Sequence, residues 1–160
     1  MEKNLQTEAA ELLVKKGMTL AVAESCTGGM IASGLIEFAG ISEVLIEGCV
    51  TYSNDAKVRR LGVKEETLAQ YGAVSPQTAK EMAEGIAGTS GADIGLATTG
   101  IAGPGGGTEE KPVGLVYIGI SCKGKTEVFE HHFSGGRQEV REAAAAEALQ
   151  LLRKALSYEE

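Results

Sequence analysis

Ser25, Cys26 and Thr27 stand side by side directly before Gly28 and Gly29, in the stretch AESCTGG. The apolar run MTLAVA precedes them, and MIASGLIEFAG, which reads as a helix, follows. A hydroxyl or thiol at such a strand-to-helix turn meets the free backbone N–H groups of a helix start, which stabilise negative charge. The same residue types are also ordinary helix caps. Taken alone, the turn supports either role. As a nucleophile, Ser25 needs a base to take its proton, whereas a thiol at Cys26 is activated by the helix N-terminus itself.

A candidate base lies in VTYSNDAK, which offers Tyr52 and Lys57 at a strand end and in the following helical turn. An amine held in a partly dry cleft loses proton affinity and can act as a general base, and a phenol can relay a proton to it. Exposure on a helix surface is the commoner fate of a lysine. The spacing is not Tyr-x-x-x-Lys, since Ala56 sits where that lysine would be. The loop GIAGPGGG lacks the GK[ST] ending of a phosphate loop, and Ala102 replaces the second glycine of GxGxxG. It reads either as a flexible loop or as a segment whose backbone N–H groups approach an anion. Arg137 and Arg141, one helical turn apart, either clamp a phosphate or pair with neighbours such as Glu142. His131 and His132 are adjacent, so on a strand they point to opposite faces and read as structural or surface residues. No metal site and no Ser-His-acid triad is expected from them.

These residues need elements to position them. Leu5, Ala9, Leu12 and Leu13 recur at helical spacing, with Gly17 as C-cap. TLAVAES reads as a buried strand, Thr27 to about Phe38 as a helix ended by Gly40, and LIEGCVTYS as a second strand. NDAKVRRLG opens on Asn54 as cap and closes on Gly62. KEETLAQYG and SPQTAKEMAEGIAGTSG are two further helices, the latter with Ser75 as cap, Pro76 at its first position and Gly91 beyond its end. DIGLATTG is a third strand, and LVYIGISCKGKTEVFEHHF a hairpin turning at Lys123-Gly124. The last helix, from about Arg137 to Leu156, carries Val140, Ala144, Ala148, Leu151 and Ala155 on one stripe. With no internal repeat or linker, this pattern predicts one domain over residues 1–160. Its expected fold is a three-layer α/β/α sandwich around a mixed sheet of about five to six strands. AESCTGG, VTYSNDAK and TTGIAGPGGG all follow strand C-termini, the edge where open α/β sheets bind ligands.

The 160 residues carry a net charge of -7, which argues against sequence-independent nucleic-acid binding. No apolar run approaches the ~20 residues of a membrane span, and the acidic, periodic N-terminus is unlike a signal peptide. The cysteines number three and lack CxxC spacing, so neither a disulfide framework nor a zinc site is expected. A cytoplasmic protein is expected.

Together, AESCTGG, VTYSNDAK, GAVS, TTGIAGPGGGTEEKPVG and FSGGR resemble the C-terminal domain of the CinA (competence/damage-inducible) family, over essentially the whole chain. The resemblance implies the stand-alone form, without the family's molybdopterin-binding-like N-terminal module. It also implies a nicotinamide-nucleotide amidase that deamidates nicotinamide mononucleotide without a cofactor or metal. Ser25 would be the nucleophile, activated by Lys57 and Tyr52, with Thr27, Gly28 and Gly29 capping the helix and supplying N–H donors. The expected substrate contacts are Thr27, Gly28, Gly29, Thr99, Gly100, Gly103 and Arg141, the 5′-phosphate falling to the glycine-rich loop or Arg141. A small-molecule nucleotide and a second copy of the chain are the expected partners, with no nucleic acid or membrane. The alternatives are a regulatory module that binds a pyridine nucleotide without turning it over, and an enzyme with Cys26 as nucleophile.

Overall fold

A computed structural model describes residues 4–158; the ends of the domain expected over 1–160 lie outside the described residues. In chain order the elements are α1 (Leu5–Lys16), β1 (Leu20–Glu24), α2 (Met30–Ile36), a short 3-10 turn (Ile41–Glu43), β2 (Leu45–Val50), α3 (Asn54–Leu61), α4 (Glu65–Tyr71), α5 (Pro76–Ser90), β3 (Ile94–Gly100), β4 (Leu115–Cys122), β5 (Lys125–His132) and α6 (Arg137–Ser157). Among the described residues the strands form one five-stranded sheet of order β2-β1-β3-β4-β5. β1 runs parallel to both β2 and β3, while β4 and β5 are antiparallel. The expected mixed sheet is present, with five strands.

Side-chain alternation along β1 divides the core into two halves. Leu20 and Val22 join Leu13, Val140, Ala144 and Leu152 of α1 and α6 on one face. Ala21 and Ala23 meet Met82, Ala83 and Ile86 of α5 on the other. Small residues line that second face because α5 lies almost on the sheet. A Cβ at Gly95 would stand 2.1 Å from the carbonyl oxygen of Ala83, and one at Gly119 2.7 Å from that of Ala79. No larger residue fits at either position.

The local signals in the sequence mostly hold. Ser75 caps α5 by accepting from the Thr78 N–H, Pro76 opens the helix, and Gly91 closes it in a left-handed conformation. Lys123 and Gly124, both at positive φ, make the tight turn between β4 and β5. Three boundaries differ. α2 begins at Met30 and not at Thr27, because Gly28 and Gly29 take left-handed conformations that a helix cannot continue through. β2 stops at Val50 and not at Ser53. α3 is capped by Ser53, whose Oγ accepts from the Ala56 N–H, so Asn54 is its first helical residue.

Candidate active site

β1, between β2 and β3 in the sheet, hands the chain to the Ser25–Gly29 turn. This turn is fixed from three sides. The Ser25 N–H donates to the Thr98 carbonyl of β3, and the Gly28 N–H donates back to the Ser25 carbonyl. Glu24 is buried at the end of β1, and its carboxylate accepts from Thr27 Oγ1 (2.6 Å) and from the N–H groups of Ile31 (3.0 Å) and Ala32 (3.2 Å). A carboxylate from the preceding strand therefore caps α2 and complements the positive end of its dipole. From α6, Arg141 Nε donates to the Cys26 carbonyl at 3.0 Å.

Held in this way, Ser25 Oγ meets Lys57 Nζ at 3.1 Å. Lys57 lies on α3 but is turned inward, leaving 1% of its surface exposed. Its other partners are the main-chain carbonyls of Thr51 (2.8 Å) and Tyr52 (3.1 Å), which face it because the chain bends there after β2. Burial pushes the Lys57 ammonium down from 10.5 to about 8. No carboxylate bonds to the amine among the described residues. In its neutral form two N–H bonds satisfy the two carbonyls, leaving the lone pair for the Ser25 hydroxyl proton. That is the hydrogen-bond inventory of a general base.

Ser25 and Lys57 open into a cavity of about 260 Å³ that also takes in Cys26, Tyr52, Arg137 and the 99–106 loop. Arg137 closes one side, its Nη1 donating to the Gly103 carbonyl (2.8 Å) and its Nη2 to the Tyr52 hydroxyl (3.1 Å). The Cys26 thiol points the other way chemically. Burial, helped by the nearby Glu24 charge, raises its pKa from 9.0 to about 11, so it stays protonated at neutral pH. A helix N-terminus has not activated it.

Comparison with known proteins matches residues 2–156 to the CinA C-terminal domain. The chain belongs to this family. Competence-damage inducible proteins of Clostridioides difficile and Clostridium botulinum share 58% identity over 152 residues and 56% over 155 residues. These matches cover 95% and 97% of this chain but 36% and 38% of those proteins, so the chain spans little more than a third of the curated relatives' length. Among solved structures, the competence/damage inducible protein CihA from Agrobacterium tumefaciens superposes with a TM-score of 0.90 at 45% identity over 98% of both chains. The competence damage-inducible protein A from Klebsiella pneumoniae superposes with a TM-score of 0.94 at 38% identity, over 98% of this chain and 97% of its own.

Within this CinA domain, the residues singled out from sequence divide into two groups. Ser25, Tyr52, Lys57, Thr99, Gly100 and Gly103 all border the cavity. The Tyr52 phenol, however, does not sit between Lys57 and Ser25. It is 63% exposed at the rim and bonded to Arg137, while the serine and lysine touch directly, leaving no gap for a relay. Thr27, Gly28, Gly29 and Arg141 lie outside the cavity lining and build the turn from behind. Thr27 is wholly buried, its hydroxyl on Glu24 and Thr98, so it does not cap α2 as expected. Of Arg137 and Arg141, it is Arg137 that borders the cavity. Sequence reading missed Glu24 and the Thr51 carbonyl; a carboxylate just before Ser25 was a visible signal for the first, and a main-chain acceptor leaves none. His131 contacts Glu147 at 3.4 Å and stacks on Phe133, and His132 contacts Glu130. Both lie away from the cavity.

Proposed function

We propose that this CinA domain is an amidohydrolase that converts nicotinamide mononucleotide and water to nicotinate mononucleotide and ammonia. The observation that carries the reading is the 3.1 Å contact between Ser25 Oγ and a buried lysine whose remaining N–H bonds end on two carbonyls. Neutral Lys57 takes the Ser25 proton as Oγ bonds to the carboxamide carbon. The resulting ammonium has three N–H bonds, two on the carbonyls and one free to protonate the amide nitrogen. The C–N bond breaks, ammonia leaves, and an ester to Ser25 remains. Water attacks that ester with Lys57 again as base, releasing the carboxylate and restoring the serine hydroxyl.

Ser25 and Gly28 have spent their N–H groups within the fold, so the oxyanion is assigned to the N–H of Cys26, which follows the nucleophile and borders the cavity. One such donor is worth about 3 kcal/mol of barrier. The 5′-phosphate is assigned to Arg137 and the Gly103–Gly106 loop, which border the cavity, in place of Arg141.

Purified protein incubated with nicotinamide mononucleotide should release one ammonia per nicotinate mononucleotide formed, and Ser25→Ala should release none. Tight nucleotide binding without ammonia would replace this reading with that of a binding module.

A further inference from the structure

On the amidohydrolase reading, on which this inference rests, the reaction passes through an ester on Ser25 that a second nucleophile must break. The walls of the cavity decide whether water alone can do so. An enzyme that reserves a step for water commonly positions it with a dedicated base, as the second carboxylate of inverting glycosidases does. No described residue bordering this cavity carries a carboxylate or an imidazole. The Thr99 hydroxyl proton is engaged on the Ala73 carbonyl at 2.7 Å, and the Tyr52 phenol is held at the rim by Arg137. The Cys26 thiol keeps its proton. Ala73, Val74, Ile101 and Ala102 offer the cavity only apolar side chains. Lys57 is thus left to take the proton from whatever attacks the ester.

Lys57 has already handled an amine at this spot. During acylation its third N–H protonates the departing nitrogen, so ammonia leaves from a position against Nζ. Run backwards, that step admits a neutral amine to the same position, lone pair toward the ester carbon and N–H toward Nζ. Two features limit which amine enters. The charges bordering the cavity are Arg137 and, when protonated, Lys57, so a cationic amine meets like charge and no counterion. The cavity has about 260 Å³ and is shared with the nucleotide, so the amine must be small.

We propose that this domain is also an acyltransferase that passes the acyl group from Ser25 to small uncharged amines, in competition with water and with Lys57 as the base for both. The amine nitrogen bonds to the ester carbon while Nζ takes one of its protons. The C–O bond to Ser25 then breaks, Oγ receives that proton from Nζ, and a carboxamide leaves. Nothing is oxidised or reduced. Ammonia as the amine regenerates the starting carboxamide, and hydroxylamine gives the hydroxamic acid.

Hydroxylamine, uncharged at neutral pH, is the probe. The full chain incubated with nicotinamide mononucleotide and hydroxylamine should form the hydroxamate alongside nicotinate mononucleotide. The ratio of hydroxamate to acid should double when hydroxylamine is doubled. It should also stay constant as pH rises through about 8, where Lys57 loses its proton, because one base serves both nucleophiles. Ser25→Ala should form no hydroxamate, which separates transfer through the ester from direct attack of hydroxylamine on the substrate. Ammonia release with the acid as sole product, even in molar hydroxylamine, overturns the proposal and leaves the amidohydrolase reading standing. Hydroxamate from Ser25→Ala, or a ratio that shifts with pH, overturns it as well. Neither ammonia nor hydroxamate from the wild-type protein removes the amidohydrolase reading, and the transfer with it.

Discussion

Ser25 and Cys26 are neighbours in sequence, yet their surroundings give them opposite chemistry. The serine hydroxyl faces an amine that burial has made less basic, whereas burial has raised the Cys26 thiol to about 11. Ser25→Ala should therefore abolish ammonia release, while Cys26→Ala keeps most of it; loss of activity in the cysteine variant alone would move the nucleophile to sulfur. Lys57 predicts a pH profile. With a pKa of about 8, only about a tenth of the amine is neutral at pH 7. The value of kcat/KM should thus climb about tenfold per pH unit below 8 and level off above it. Lys57→Arg should be as inactive as Lys57→Ala, because arginine keeps its proton. Near-wild-type turnover in Lys57→Arg would mean that the residue acts only as a fixed charge. Tyr52→Phe tests the rim. Since the phenol bonds Arg137 and not the lysine, the variant should raise KM more than it lowers kcat, and a collapse of kcat alone would restore the relay.

At the scale of elements, the active-site turn is held by α6 through Arg141, which donates to the carbonyls of Cys26 and Thr27. Arg141→Met removes a charge-assisted bond of about 1.5–3 kcal/mol. We expect at least a tenfold fall in kcat with KM nearly unchanged, since Arg141 does not border the cavity. A rise in KM alone would mark it as a substrate contact after all. This pair of arginines also shows where sequence reading stops. Helical spacing put Arg137 and Arg141 on one face of α6, but which of them reaches the cavity depends on how far α6 rotates as it packs on α1 and the sheet. α5 was readable end to end, because its cap, its first-turn proline and its closing glycine act within a few residues. Of the strand ends that meet at the site, that of β3 was readable to Gly100, whereas β2 stops at Val50, three residues before its expected end. Thr27 was not readable, because its hydroxyl is claimed by Thr98 on β3, a contact that only the assembled sheet creates. Glu24 likewise replaces a local cap with one reached across the strand-to-helix turn.

At the scale of the whole molecule, the same buried lysine that serves the chemistry makes folding depend on pH. Its folded value of about 8 lies below the ordinary 10.5 of an exposed lysine. The unfolded chain therefore holds the proton more tightly than the folded one. Between pH 8 and 10.5 unfolding takes up a proton, and stability from this group rises with pH. Below pH 8 both states are protonated, and the folded state carries the full cost of burying the ammonium, about 3 kcal/mol. Lys57 is nearly inaccessible to water, so little of that cost is screened. Lys57→Met keeps the side-chain length and removes the proton. Its absolute stability mixes lost hydrogen bonds with relieved burial, but the change with pH isolates the titration. Wild type should gain about 2 kcal/mol relative to Lys57→Met between pH 7 and 9.5, as measured by urea unfolding of both proteins across that range. The other titrating groups are common to the two proteins; Cys26, the one coupled to Lys57, is held near 11 by burial and stays protonated over most of this range. A difference that stays flat over this range would show that Lys57 titrates like a surface lysine, and the fold would then supply no neutral base for Ser25 at physiological pH.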